Sequence, residues 1–216
     1  MSTVNAGWRG PNIVKDGLVL YLDAGSATSY SPYNSGNIWK DISGNNAHCN
    51  LINSPTWNSN GYFSFDGIDD GADNTTVPQN YVDLMIGMYS LGGIGQGLEM
   101  VFAKYNDFDK SFRTANGVFR HSSPTDANDW NYLNTSYDFV NGSLITTDYN
   151  LVNSWNIIRI VNQNSTFTPP FNYSISSDFL SRRYKGYISF ILCYNRILNP
   201  QEVLQNYNST RTRFNL

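Results

Sequence analysis

From Gly17 onward the chain is written in short apolar runs separated by turn residues. The first, Gly17 to Asp23, places Leu18, Leu20 and Leu22 on one face and Val19 and Tyr21 on the other. A strand that is apolar on both faces belongs inside layered structure. Tyr62-Phe63-Ser64-Phe65 closes on the turn Asp66-Gly67, and Leu98 to Lys104 carries Met100, Val101 and Phe102. Trp155 to Val161 alternates Ile158 and Ile160 against Arg159; Gly186 to Asn195 sets Ile188, Phe190, Leu192 and Tyr194 on one face. Weaker strands are expected around Val118–Arg120, Asn131–Leu133 and Asn172–Ser176. Many short strands punctuated by turn signals predict an all-β fold, a two-sheet antiparallel sandwich of jelly-roll type. One helix is signalled. Asn199 caps it, Pro200 takes its first position, Glu202 completes a capping box, and Val203, Leu204 and Tyr207 form its apolar stripe. Residues 1–16 read as a polar N-terminal arm and residues 17–216 as one sandwich domain.

Composition sharpens this picture. Asn occurs 29 times and Ser 23 times, whereas Glu occurs twice, at Glu99 and Glu202. Such a bias favours turns over helices. A length of 216 residues suits one domain with a sizeable core. The net charge of −3, with only 14% charged residues, lacks the basic field of a nucleic-acid binder. No apolar run is long enough to span a membrane, and the first residues carry no apolar leader core. Assembly in a reducing cytoplasm is therefore expected, with Cys49 and Cys193 as free thiols.

Candidate chemistry is sparse. Glycanase chemistry needs two carboxylates about 5–5.5 Å apart in its retaining form. Here Glu99 is followed by Met100 and Val101, and Glu202 is accounted for by capping, so only an unrelated Asp pair could serve. Asp66, Asp69, Asp70 and Asp73 offer hard oxygen ligands suited to Ca²⁺, but their spacing is not that of an EF-hand. A strand end with Asp-Gly turn chemistry accounts for the same residues and is the preferred reading, so no cofactor is expected. His48 and His121, the only histidines, match neither a zinc site nor a triad. The glycine-rich stretch 91–97 is followed by no Lys-Ser/Thr and reads as a surface loop. Aromatics in polar contexts remain. Tyr30, Trp57 and Trp130 are the candidates for stacking on a sugar, the alternative being that each plugs an edge of the core. Trp8, with Arg9 beside it, lies in the arm and is the candidate for docking onto another chain.

Four segments carry a family resemblance: Gly17-Leu18-Val19-Leu20-Tyr21-Leu22-Asp23-Ala24, Trp39-Lys40-Asp41-Ile42-Ser43-Gly44-Asn45, Phe65-Asp66-Gly67-Ile68-Asp69-Asp70, and Gly186 through Tyr194-Asn195-Arg196-Ile197-Leu198. In this order they resemble the concanavalin A-like lectin/glucanase fold in its laminin-G-like branch. The C-terminal Asn206-Tyr207-Asn208-Ser209-Thr210-Arg211-Thr212-Arg213-Phe214 is similar to the tail of stand-alone laminin-G-like virion proteins of tailed bacteriophages. That resemblance implies a non-enzymatic protein on the virion surface, of capsid-decoration or head-fibre type, assembled in the host cytoplasm. Its implied partners are other virion proteins and further copies of itself, with a host-surface glycan as a possible ligand. The alternative is a tail-fibre or receptor-binding lectin, and the remote one a glycoside hydrolase. Neither nucleic acid nor membrane insertion is expected.

Overall fold

The computed structural model describes residues 12–33, 35–92, 99–105, 107–119, 138–161, 171–176 and 182–216. The described residues form sixteen strands, in chain order: β1 Leu18–Asp23, β2 Ile38–Trp39, β3 Cys49–Ile52, β4 Thr56–Asn58, β5 Tyr62–Asp66, β6 Gly71–Gln79, β7 Asp83–Ser90 and β8 Glu99–Lys104. Then come β9 Asp107–Thr114, β10 Val118–Phe119, β11 Phe139–Val140, β12 Ser143–Leu144, β13 Tyr149–Asn150, β14 Trp155–Val161, β15 Phe171–Ile175 and β16 Lys185–Tyr194. Helix α1, Pro200–Thr210, runs into a 3-10 turn at Arg211–Phe214. The larger sheet is ordered β12-β11-β14-β7-β16-β5-β4, with β1 also pairing β16. The smaller is ordered β2-β3-β6-β15-β8-β9, and β10 pairs β13 apart from both. All these strand pairings are antiparallel, so the expected two-sheet sandwich is the fold. No helix among the described residues is long and apolar enough to cross a membrane.

The main core lies between the sheets. Leu20, Leu22, Phe63, Phe65, Ile86, Met88, Ile158 and Ile188 of the larger sheet meet Trp39, Leu51, Phe102, Phe112, Tyr173 and Ile175 of the smaller. A second core covers the outer face of the larger sheet. Leu18, Tyr21, Met85, Ile157, Phe190, Leu192 and Tyr194 are buried there beneath Ile13, Val14, Leu198 and Val203, with Phe214 and Leu216 alongside. This second layer is why β1 is apolar on both faces. It also draws part of the expected arm into the domain: the Val14 amide donates to Asn206 Oδ1 at 2.9 Å and Tyr194 Oη donates to the Val14 carbonyl at 3.1 Å.

Three details depart from simple alternation. The β16–β7 register shifts between Ile188 and Phe190, so Ile188 joins Ile191 and Cys193 in the inter-sheet core while Phe190, Leu192 and Tyr194 face outward. A bulge places two residues against one and reverses the facing of the residues beyond it. A similar shift between Leu18 and Leu20 puts Val19 with Leu20 and Leu22 in the main core. On α1 the capping box forms as expected, but the buried positions are Val203, Asn206 and Thr210, while Leu204 is 48% exposed. Asn206 occupies the apolar stripe because its amide serves two elements, accepting from Val14 and donating to Tyr194 Oη at 2.9 Å.

Cys49 opens β3, and it and Cys193 are buried, unbridged thiols, as expected. Val118–Phe119 and Phe171–Ile175 form strands; the expected strand at Asn131–Leu133 lies outside the described residues.

The segments that carry the family resemblance are structural clips. Asp41 accepts from the amides of Tyr21, Ser43 and Ala47 and from Ser43 Oγ, which ties its turn to β1. Asp83 and Arg159, both fully buried, pair through Nε and Nη2, while Asp83 Oδ2 accepts the Leu198 amide at 2.8 Å. Arg196 grips Glu202 at 2.9 and 2.7 Å, holding its carboxyl down at about 2, and so locks the lead-in to α1.

Candidate functional site

Beyond the area covered by α1, the outer face of the larger sheet carries a group of half-buried aromatic rings. Tyr62 on β5, Tyr187 on β16, Tyr89 on β7 and Trp155 on β14 share that face, opposite the inward-pointing Phe63, Ile188, Met88 and Ile158. Tyr89 stands opposite both Trp155 and Tyr187 in the strand registers. Adjacent strands lie about 4.8 Å apart, so outward side chains on neighbouring strands stack. The Tyr62–Tyr187 and Tyr187–Tyr89 centroids are 4.8 and 5.2 Å apart, with planes 30° and 28° from parallel. The tyrosine rings therefore stand side by side along this face. Trp155 leans across them, 5.5 Å from Tyr62 and 5.8 Å from Tyr89 at 60° and 68°.

The last turn of the chain completes the site. Arg213 donates to both oxygens of Asp23, at the end of β1, at 2.7 Å each. Burial works against the guanidinium's charge, but the Asp23 carboxylate outweighs it and holds the Arg213 pKa above its ordinary value. This pair fixes Phe214 over Trp155, with centroids 4.5 Å apart and planes 23° from parallel. Opposite, Asn60 sits in the turn entering β5, where Asn58 Oδ1 accepts its amide at 2.9 Å. Gly61 is next, with φ +83, packed so closely that a Cβ there would lie 2.7 Å from the Gly25 Cα. Between these walls lies a groove of about 340 Å³ lined by Asn60, Tyr62, Trp155, Arg213, Phe214 and Asn215. Its volume lies at the small end of the range for small-molecule sites, and its lining combines three aromatic residues with polar ones.

The residues singled out in the sequence lie elsewhere. Tyr30 and Trp57 come together, 6.0 Å apart, but on the inner side: Trp57 is opposite Phe63 in register, and Tyr30 meets the Phe63 ring edge-on at 4.7 Å. Trp57 Nε1 donates to the Ala24 carbonyl at 2.9 Å. Both rings are half-buried against the main core. Trp130, Trp8, Arg9 and His121 lie outside the described residues. Of the four aspartates, Asp66, Asp69 and Asp70 bring carboxylate oxygens within 4.8 Å of one another, without Asp73. Asp66 Oδ1 is already used by the amides of Ile68, Asp69 and Asp70, and Asp70 Oδ2 accepts the Asp66 amide. Burial raises the Asp70 pKa; at Asp66 burial acts the same way but the three amides outweigh it and lower the pKa. The loop is thus a turn folded on its own carboxylates. Asp73 stands on β6, where burial, offset in part by Arg183, pushes it up to about 6.

Glu99, the other acid considered, is buried at the start of β8 and accepts from Thr114 Oγ1 and the Gly117 amide at 2.9 and 3.0 Å. Burial raises its pKa, the two hydrogen bonds offsetting part of the rise. His48 Nδ1 accepts the Asp41 amide at 3.0 Å, a structural contact.

No protein-family model matches the chain, and no curated protein sequence does. Solved structures do. A mutant of Trypanosoma rangeli sialidase displaying trans-sialidase activity aligns with a TM-score of 0.56 at 14% identity, over 92% of this chain and 33% of that one. The same organism's sialidase in complex with 2,3-difluoro-KDN gives 0.56 at 16% identity, over 91% and 33%. A receptor binding domain gives 0.53 at 12% identity, over 91% of this chain and 51% of the other. The chain spans about a third of the length of the sialidases it matches. At such identities the likeness is one of fold.

Proposed function

We propose that this chain is a non-enzymatic, lectin-type β-sandwich that binds carbohydrate in the groove between Trp155 and Asn60. The observation that carries the reading is the lining itself: Tyr62 of β5, Trp155 of β14 and Phe214 of the tail line one groove together with Asn60 and Asn215. Pyranose rings have apolar C–H faces and polar rims, and aromatic rings combined with amides answer both. Binding rather than catalysis is favoured because the glutamates are committed to folding, Glu99 as a buried acceptor and Glu202 as a helix-cap and Arg196 partner. The test is a fluorescence titration of Trp155 with an oligosaccharide panel. Saturable change in the native chain, lost in Trp155→Ala, supports the reading; equal response in both removes the groove from it.

The placement of this domain on a phage particle, as a decoration or tail protein, is proposed on the sequence resemblance of its C-terminal Asn206–Phe214 segment. Mass spectrometry of purified particles from the source phage tests it.

A further inference from the structure

We propose that the groove selects uncharged saccharides and rejects acidic ones such as sialic or uronic acids, an inference that rests on the carbohydrate reading above. Among the six lining residues, Arg213 alone carries a charge. A sugar carboxylate leaving water must be repaid with charge-assisted hydrogen bonds, which a guanidinium supplies as a two-pronged fork. Here that fork is occupied. Both terminal nitrogens of Arg213 face the Asp23 carboxylate at 2.7 Å, and Asp23 is 1% exposed. Tyr21 Oη and the Gly25 amide hold the same carboxylate in place at 3.0 and 2.9 Å. An anion approaching Arg213 thus meets a buried negative charge directly behind the positive one. The two cancel, and the local field is that of a dipole rather than a cation.

Farther along the face, a lysine and an aspartate occupy neighbouring strands. Lys185, two residues before Tyr187 on β16 and on the same face, stands opposite Asp66 of β5 in register. Arg213 therefore acts as a positioning residue. Its ion pair fixes the backbone that carries Phe214 against Trp155 and Asn215 at the groove's edge. What remains for the ligand is aromatic surface and amides, which suit a neutral hexose or N-acetylhexosamine chain.

The experiment is a glycan array on the full chain, followed by calorimetry with its best neutral ligand and that ligand's uronate counterpart at low and high NaCl. The expected result is a preference of at least about tenfold for the neutral sugar, with neutral-sugar affinity changing less than about twofold with salt. Arg213→Gln is expected to weaken neutral binding several-fold, through loss of the Phe214 wall, and to leave the ranking unchanged. Asp23→Asn leaves the guanidinium uncompensated and is expected to admit the acidic sugar. Because each variant breaks one half of a pair whose aspartate is buried, both are read only if their circular dichroism matches the native chain; the native chain's neutral-versus-uronate preference and its salt dependence decide otherwise. Tight, salt-sensitive binding of acidic sugars that Arg213→Gln abolishes overturns this inference and leaves the carbohydrate reading standing. Binding of no saccharide at all overturns the carbohydrate reading, and this inference with it.

Discussion

Replacing Arg159 by Met tests how the layer that frames the groove is held to the sheet. In the native chain Arg159 Nε reaches both Asp83 oxygens at 3.0 and 3.1 Å, and Nη2 adds a further contact to Oδ2. Nη2 also donates to the Leu198 carbonyl at 3.3 Å, while the Leu198 amide donates to Asp83. Arg159→Met leaves Asp83, 0% exposed, with the Leu198 amide as its remaining hydrogen bond among those described. Breaking one half of a buried pair costs about 3–5 kcal/mol. For a domain of this size that lowers Tm by about 6–20 °C. The double variant Asp83→Asn/Arg159→Met removes both charges and is expected to recover at least about half of the loss. The pH dependence has a definite sign. Burial already raises the Asp83 pKa, with Arg159 pulling it down; without the guanidinium it rises further. A neutral Asp83 is tolerated, so the single variant's deficit shrinks as pH falls below neutrality and grows again as it rises. Urea melts followed by circular dichroism at several pH values measure both effects. A single variant that melts with the double one, or a deficit independent of pH, refutes the reasoning.

The same geometry sets four further outcomes. Asp41→Ala removes a carboxylate serving three amides and a hydroxyl, and should cost about 3 kcal/mol in denaturant unfolding. Asn199→Ala deletes the helix cap and should cost about 1 kcal/mol by the same assay. Glu99, whose pKa is raised by burial, favours the folded state in its neutral form, so its contribution falls as pH rises through the carboxylate range. Glu99→Gln should accordingly melt above the native chain at pH 7.5, with the gap closing toward pH 4. Millimolar Ca²⁺ should shift Tm by less than about 1 °C, because Asp66 Oδ1 is spent on its own turn; a larger shift would revive the aspartate loop as a metal site.

The strands and the cap are legible in the sequence because they are local. Trp155–Val161 occupies the bounds its alternation suggests, and Asn199, Pro200 and Glu202 build the expected box. The bulge at Ser189 is not legible, since an unbroken run Ile188-Ser189-Phe190-Ile191 reads as plain alternation while the fold inserts a residue and turns Phe190 outward. Asn206 is absent from the apolar stripe expected of α1, and only the return of Val14 and Tyr194 gives its amide partners. The groove is hidden for the same reason. Tyr62 and Trp155 read as strand starts, and nothing local says that Phe214, 59 positions after Trp155, stacks on it. One signal is available: both open strands whose next residues alternate inward, which sets their own rings on the outer face. Conversely, Asp41, Asp66 and Arg196, which carry the family resemblance, are folding clips, so that resemblance speaks to architecture and not to a ligand.

The most direct test of the central claim is a crystal structure of the chain soaked with the best saccharide from the array. The account predicts density against Trp155 and Phe214 with hydroxyls bonded to Asn60 or Asn215. Density at the inner rings Tyr30 and Trp57, or anywhere off the outer face of the larger sheet, would contradict it.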